Sequence, residues 1–399
     1  MKFPFLLKKL MHAFLASLMP VAIAFFATNL AHAQTPISSS DLANDGSFLD
    51  PKYPQLKTVS SALRALRKER FLGDRQVPKA SDTISLIEKQ SPVKSQGARG
   101  TCSIFSATAM AESFLIATAG ANTNLDLSEE WLELVIKRNA QSEGSSSNIN
   151  FSTISGYGMA SEESLPYIGE TWENLESSKL ASERCGHIKG YQQKSCLLGH
   201  HDPQLLVIDL AELLREGSDH YSPMIAKART ESNENRAQFN SKLVLKRSID
   251  DDMIVKTVLA NGTPLTLDVD FYYGAWNHRL ASNFGMERNM EHWYQGVVGF
   301  PAPGSVDAKR SLEDPAGHSV LIVGYDDELE VEVPTLMQDG TTKNIKYKGV
   351  YYFKNSWGSA SFGRDFKING KPFPGYGMIT QKYAHQYGQF FQFYRSQAR

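Results

Sequence analysis

The sequence predicts an α+β protein whose helices precede its strands along the chain. Helical patterns fill the first half, and the strongest runs from Cys102 to Ala119. From Gly262 onward, short segments of alternating apolar and polar residues take over, as is typical of strands. Because the two patterns do not interleave, we expect helices and strands to form separate halves of the fold.

The helical half is predicted from three runs of residues. Cys102–Ala119 is rich in small and apolar side chains, which allow a central buried helix to pack closely. A second helix is predicted at about Ser128 to Asn139, with Ser128 as its N-cap and two glutamates in its first turn. A loop at 144–147 leads to a third helical patch around Phe151 to Tyr157.

Residues 170–255 are polar and charge-rich. Only weak helical runs are predicted there, at Leu205–Arg215 and Met253–Ala260. The predicted strands that follow are Pro264–Val269, His318–Tyr325, Gly349–Lys354 and Tyr376–Thr380.

The N-terminus predicts export. Three lysines, an apolar run and a small-x-small site ending at Ala33 indicate a signal peptide over residues 1–33, and the alternative is a retained membrane anchor. After cleavage we expect a periplasmic or secreted protein with no stable membrane association. Residues 34–80 are interpreted as an N-terminal extension, either a short propeptide or a surface helix of the mature protein, before a domain at 81–399.

Composition excludes several classes of protein. Loss of three lysines with the signal peptide changes the net charge from −1 to −4, and the chain has no basic tract of the kind that nucleic-acid binding requires. Three cysteines in 399 residues are too few for a disulfide scaffold. We expect no nucleic acid, no cofactor and no metal.

Cys102 is the candidate nucleophile. It follows a loop rich in Pro and Gly and begins the strongest helix, where free N–H groups and the helix dipole are expected to lower a thiol pKa. Gln96 lies six residues upstream, where its amide can donate a hydrogen bond to an oxyanion formed at Cys102.

A base and a residue that orients it lie far downstream. His318 opens an apolar strand after a turn, and Asn355 ends a later strand. The Asn355 amide can accept a hydrogen bond from an imidazole N–H, while Trp357 screens that bond from water. Each residue also has a plain structural interpretation, as an ordinary surface or core histidine, an edge-strand asparagine that turns the chain, and a core tryptophan.

Three sequence blocks in this order resemble the active-site blocks of the papain family of cysteine peptidases, in its bacterial exported type. They are Gln96-Gly-Ala-Arg-Gly-Thr-Cys102, His318-Ser-Val-Leu-Ile-Val-Gly-Tyr325 and Lys354-Asn-Ser-Trp-Gly358. The resemblance covers about residues 82–168 and 253–383, and leaves 170–250 as an insertion.

The resemblance implies a two-lobed fold, with a helical lobe bearing Cys102, an antiparallel β lobe bearing His318, and the active site in the cleft between them. It also implies that Cys102 attacks peptide carbonyls as a thiolate beside a His318 imidazolium, which Asn355 orients. The Cys102 backbone N–H and Gln96 then form the oxyanion hole. The expected partners are protein or peptide substrates.

The chain departs from the family pattern near the nucleophile. Arg99 stands where the family usually has a disulfide cysteine, and Ser103 where it usually has a tryptophan. Cys102 and His318 are 216 positions apart rather than roughly 130–150. The insertion accounts for the excess, and Asp326–Tyr347 is interpreted as an inserted polar hairpin.

Cys185 and Cys196 lie in the insertion. In an exported protein they are expected to form a disulfide. Two alternatives stay open: zinc ligation with His187, His200 and His201, or two unpaired surface thiols.

Three functions are consistent with the sequence. The first is an exported cysteine endopeptidase. The second is a non-proteolytic peptide-binding or inhibitory protein on the same fold, suggested by Arg99 and Ser103. The third keeps the thiol chemistry but performs acyl transfer or exopeptidase cleavage.

Overall fold

The computed structural model describes residues 84–249 and 251–395, so the predicted signal peptide and N-terminal extension lie outside the described residues. The helices are α1 (Cys102–Ala119), α2 (Glu129–Lys137), α3 (Ser147–Tyr157), α4 (Lys179–Cys185), α5 (Tyr191–Gly199), α6 (Leu210–Leu214), α7 (Pro223–Lys242), α8 (Asp252–Ala260), α9 (Met290–Gln295), α10 (Val306–Arg310) and α11 (Gln381–Tyr387). Short 3-10 turns occur at Ile87–Lys89, Pro203–Leu206, Arg279–Phe284 and Ser311–Glu313.

The strands come mostly from the second half of the chain, which confirms the predicted α+β class. They are β1 (Ile84–Ser85), β2 (Leu243–Ile249), β3 (Leu265–Phe271), β4 (Val297–Val298), β5 (Ala316–Leu336), β6 (Thr342–Lys354), β7 (Lys367–Ile368), β8 (Lys371–Pro372), β9 (Tyr376–Thr380) and β10 (Gly388–Arg395). The main sheet has the order β2-β10-β3-β5-β6-β9-β4, with β1 paired to β5; β4 and β9 pair in parallel, and the other pairs between these strands are antiparallel.

The two lobes meet where α1 packs against β5. Alanines and serines fill much of α1, so its backbone can come close to the sheet. Ser106 on α1 lies 2.6 Å from Ser319 on β5, oxygen to oxygen, and both are buried. The papain-like arrangement of a helical lobe beside an antiparallel β lobe is therefore present, with Cys102 and His318 on the two elements in contact.

Local sequence rules explain the second helix. Ser128 is extended and its hydroxyl accepts the Trp131 backbone N–H at 2.9 Å, as expected of an N-cap. The third helix begins four residues earlier than predicted, at Ser147 instead of Phe151. Buried Asp268 explains the difference, because it accepts both the backbone N–H and the hydroxyl of Ser147 and so fixes the start of the helix.

The predicted hairpin is formed by the outer parts of β5 and β6. Their register runs from Glu330 opposite Lys348 to Leu336 opposite Thr342, after an irregularity between Asp326 and Glu330. The two strands are thus much longer than the segments predicted for them.

Residues 170–250 contain more structure than the sequence indicated. Four helices, α4 to α7, are followed by β2, and the 20-residue α7 was not predicted. The strand β2 pairs with β10 at the edge of the main sheet. Cys185 and Cys196 form a disulfide with Cα atoms 5.7 Å apart, which joins α4 to α5.

Within 84–249 and 251–395, no helix has both the length and the apolar character that crossing a bilayer requires.

Candidate active site

Cys102 is the first residue of α1 and is only 1% exposed. Its thiol accepts a hydrogen bond from the backbone N–H of Ser319, the residue after His318, and also faces its own N–H and that of Ser103. The Cys102 thiol of the helical lobe is therefore held directly against β5 of the β lobe, beside His318.

The expected lowering of the Cys102 pKa is wrong for this closed site. Burial raises the pKa of the thiol to about 12, although the backbone N–H groups oppose that rise. The nearby carboxylate of Asp268 adds to the rise. The helix start supplies local dipoles that favour the thiolate, but the loss of water around the thiolate is the larger effect here.

His318 is completely buried and bound to Asn355. The imidazole Nε2 lies 2.9 Å from Asn355 Oδ1, and this oxygen also accepts the Ser356 backbone N–H at 2.9 Å. The Ser356 N–H can only donate, so the Asn355 atom that it contacts is the amide oxygen. Because an amide oxygen can only accept, we assign the proton to Nε2 of the imidazole. The other ring nitrogen, Nδ1, then carries a lone pair, and within 84–249 and 251–395 this buried atom has no hydrogen-bond partner.

Burial lowers the pKa of His318 to about 4, while the hydrogen bond that its Nε2–H donates to Asn355 opposes the change. The resting histidine is therefore neutral at physiological pH, like the thiol.

Aromatic side chains enclose the His318 ring. Trp357 lies 4.7 Å away between ring centroids, and Trp276 lies edge-on at 5.1 Å. Both tryptophans are buried. The position of Trp357 fits the predicted screening of the bond between His318 and Asn355 from water.

Gln96 is buried with both ends of its amide held. Its Nε2 donates to the Arg99 carbonyl at 2.7 Å, and its Oε1 accepts the Ser356 hydroxyl at 2.7 Å. The Gln96 backbone N–H also donates to the Ser356 carbonyl at 2.8 Å. The loop before Cys102 is thereby joined to the segment that follows Asn355.

One glycine makes this loop possible. Gly97 has φ +60°, and a Cβ atom there would lie 2.5 Å from the Gly169 carbonyl oxygen. That same carbonyl accepts the Ala98 backbone N–H at 2.8 Å, so the close approach is also a bonded contact.

Asp268 is a buried site residue that sequence reasoning missed. Its carboxylate accepts the Ser319 hydroxyl at 2.7 Å and the Ser147 hydroxyl at 2.6 Å, and burial raises its pKa. Ser319 in turn lies against Ser106 of α1. This chain of hydrogen bonds fixes Ser319, whose N–H contacts the thiol. The only sequence signal was an acid inside an apolar strand.

A second missed group lies behind Asn355. Lys354 is buried and its Nζ donates to Ser91 Oγ at 2.8 Å, while Ser91 donates to Glu112 of α1. Lys94 donates to Glu112 at 2.8 Å and to Glu129, the first residue of α2, at 3.1 Å. These contacts hold the strand end that carries Asn355 against the helical lobe.

The insertion cysteines are joined to each other, so neither is available as a zinc ligand. Among the residues that the structure describes, no three or more His, Cys, Asp or Glu side chains are arranged to hold a metal ion. His200 Nδ1 instead lies 3.1 Å from Glu130 Oε1.

Residues 77–265 match the family model described as papain family cysteine protease. With the fold and the buried thiol, this match defines the class of the protein as a cysteine-type peptidase, a hydrolase whose substrates are proteins or peptides. Over the matched residues the chain is similar to the papain family. The matched range includes Gln96 and Cys102 and ends before His318 and Asn355, so the match does not extend to these two.

The chain is also similar to solved structures. Xylellain, a cysteine protease from Xylella fastidiosa, is 15% identical, with 92% of this chain and 99% of that chain covered and a TM-score of 0.47. A digestive procathepsin L2 proteinase from Tenebrio molitor larval midgut is 17% identical, with 99% and 95% covered and a TM-score of 0.45. At these values the likenesses carry no part of the assignment. No curated protein matches the chain.

Proposed function

We propose that the protein is an exported cysteine endopeptidase in which Cys102 attacks the peptide carbonyl and His318 is the base. Asn355 orients the imidazole, and Gln96 with the Cys102 backbone N–H binds the oxyanion. The observation that carries the proposal is the His318 ring, whose Nε2–H is fixed on Asn355 while its buried Nδ1 has a free lone pair.

In the first step the proton of the Cys102 thiol moves to His318 Nδ1, which forms the thiolate–imidazolium pair. The sulfur then bonds to the carbonyl carbon, and the carbonyl oxygen becomes the oxyanion. Removing one hydrogen-bond donor from an oxyanion hole typically raises the activation free energy by about 2.7–4 kcal/mol.

In the second step the C–N bond breaks and His318 gives its proton to the leaving amine, which leaves an acyl thioester on Cys102. Water then attacks the thioester while His318 takes a proton from the water. The carboxylic acid is released, and His318 returns the proton to the Cys102 thiolate. No cofactor enters either step.

Export is part of the proposal. The predicted signal peptide at 1–33 supports it, and so does a disulfide between Cys185 and Cys196, because such bonds persist in oxidising compartments. N-terminal sequencing of the exported protein tests the cut after residue 33 and any further cut before residue 81.

The decisive test uses a thiol-directed epoxide and peptide substrates. We expect one equivalent of label on Cys102 in the wild type, none in Cys102→Ala, and cleavage in the middle of peptides. His318→Ala should lose turnover, while His292→Ala, a half-buried histidine outside the site, should keep it. Mass spectrometry of the products separates internal hydrolysis from exopeptidase cleavage and acyl transfer.

A non-proteolytic peptide-binding protein is the second candidate, favoured by a thiol that is 1% exposed. A folded wild type that takes no label, and that binds peptides as tightly as Cys102→Ala does, would establish this function and overturn the first.

A further inference from the structure

Arg99 is a fully buried cation in the loop before the nucleophile. Its Nη1 donates to Glu130 Oε2 at 2.7 Å and to the Ile168 carbonyl at 3.1 Å, and its Nη2 donates to the Leu198 carbonyl at 2.8 Å. The guanidinium also lies 5.1 Å from the centre of the Tyr167 ring. Its planar set of donors thus binds three separate segments of the chain.

These partners are themselves firmly held. Leu198 is in the last turn of α5, where backbone carbonyls lack partners within the helix and favour a cation. The disulfide ties α5 to α4. Burial alone would raise the pKa of Glu130, but Arg99 and His200 lower it to about 2, so the carboxylate stays charged.

The main chain of Arg99 reaches the proposed oxyanion site. Its carbonyl accepts one N–H of the Gln96 amide at 2.7 Å, and the Ser356 hydroxyl holds the other end of that amide. The amide nitrogen carries two hydrogens, and the second is the one required for an oxyanion at Cys102. Tyr167 supports the same loop, since its hydroxyl donates to the Gln96 carbonyl at 2.9 Å.

We propose that Arg99 is a positioning residue for peptide hydrolysis: anchored by α2 and by α5 of the insertion, it fixes the carbonyl that aims the Gln96 amide at the oxyanion. This inference rests on the proposed function. It gives residues 170–250 a role, because the carbonyl of Leu198 within them is one of the anchors of Arg99.

The test compares two reactions of the same thiol. Peptide hydrolysis passes through an oxyanion, whereas alkylation by iodoacetamide displaces iodide and forms none. Arg99→Met combined with Glu130→Gln removes both members of the shorter ion pair, while buried Glu133, 3.7 Å from Arg99 Nη2, keeps Lys137 at 4.0 Å. We expect kcat for a peptide substrate to fall about 10- to 100-fold, below the roughly 10²–10³ of a lost donor, with the alkylation rate within about twofold of wild type.

Arg99→Lys keeps the charge but not the planar set of donors, and we expect it to retain part of kcat. In a Gln96→Ala background, replacing Arg99 should lower kcat by less than about threefold more, because both changes act on the same amide. The control is Arg184→Lys. Arg184 lies on α4 of the same insertion and contacts His200, His201 and Trp172. This variant should leave kcat unchanged.

Circular dichroism and thermal unfolding identify variants that fold. Unchanged kcat in folded Arg99 variants overturns the proposal, and so do equal losses of hydrolysis and alkylation, or full additivity with Gln96→Ala. A wild type that hydrolyses no peptide is a different result: it overturns the proposed function itself, and the inference on Arg99 with it.

Discussion

Asn355 Oδ1 receives two hydrogen bonds, one from His318 Nε2 at 2.9 Å and one from the backbone N–H of Ser356 at 2.9 Å. The second bond fixes the orientation of the amide and the first fixes the tautomer of the imidazole. The Ser356 backbone N–H therefore determines, through Asn355, which nitrogen of His318 can accept a proton.

The first prediction concerns this contact. Asn355→Ala leaves a buried imidazole N–H without its partner, at a cost of about 1–3 kcal/mol, so kcat/KM should fall roughly 10- to 100-fold. Steady-state kinetics on a peptide substrate measures it. Asn344→Ala, at an exposed position of the hairpin, is the matched control and should match wild type. Equal kinetics in the two variants would contradict the assigned role of Asn355.

The second prediction concerns pH. Burial lowers the pKa of His318 to about 4, so the ring stays neutral and able to accept a proton well below pH 6.5. As pH falls through about 4 the ring becomes protonated and kcat/KM should drop. A carboxylate at position 355 favours the imidazolium, so Asn355→Asp should move this acid limb to higher pH. An acid limb at 6.5 in the wild type would show that the ring is solvated.

The third prediction concerns Asp268. Burial is the main reason for the raised pKa of Cys102, and the negative charge of Asp268 adds to it. Asp268→Asn should therefore lower the pKa of the thiol, and alkylation by iodoacetamide should reach half its maximal rate at a lower pH. Asp270→Asn changes an acid on the same strand and should leave the profile in place. A shift to higher pH in Asp268→Asn would refute this reasoning.

The fourth prediction concerns the disulfide between Cys185 and Cys196. It closes a short loop with a sequence separation of 11 residues, for which chain entropy gives about 3 kcal/mol. Replacing both cysteines by serine should lower the free energy of unfolding by about that amount in urea titrations. A Cys102→Ala background prevents self-digestion, and the same background with both cysteines intact is the control. An unchanged midpoint would contradict the prediction.

The sequence predicted the elements whose signals are local. The limits of α1 and the N-cap at Ser128 follow from the residues that form them, and both are found as predicted. The helix α7 was missed because its residues are polar on average, so no apolar stripe marks it. Its burial depends on contacts with other elements that periodicity does not reveal.

The sequence selected the candidate site residues but not their electrostatics. Three sequence blocks point to Cys102, His318 and Asn355, whose catalytic roles stay a prediction. The expected direction of the Cys102 pKa was wrong because burial sets it, and burial depends on which distant segments of the chain pack over the thiol. Asp268 escaped notice for the same reason, since a buried acid has meaning only once Ser147 and Ser319 are beside it.

The strand β2 closes the segment at 170–250 and is also the outermost strand of the main sheet, beside β10. A truncation that removes the whole segment would therefore uncover the backbone N–H and C=O groups of β10. Exposed strand edges of this kind pair with other molecules and promote aggregation. A shortened enzyme should therefore keep β2 and lose only the helices that precede it, so that β2 still covers the edge of β10.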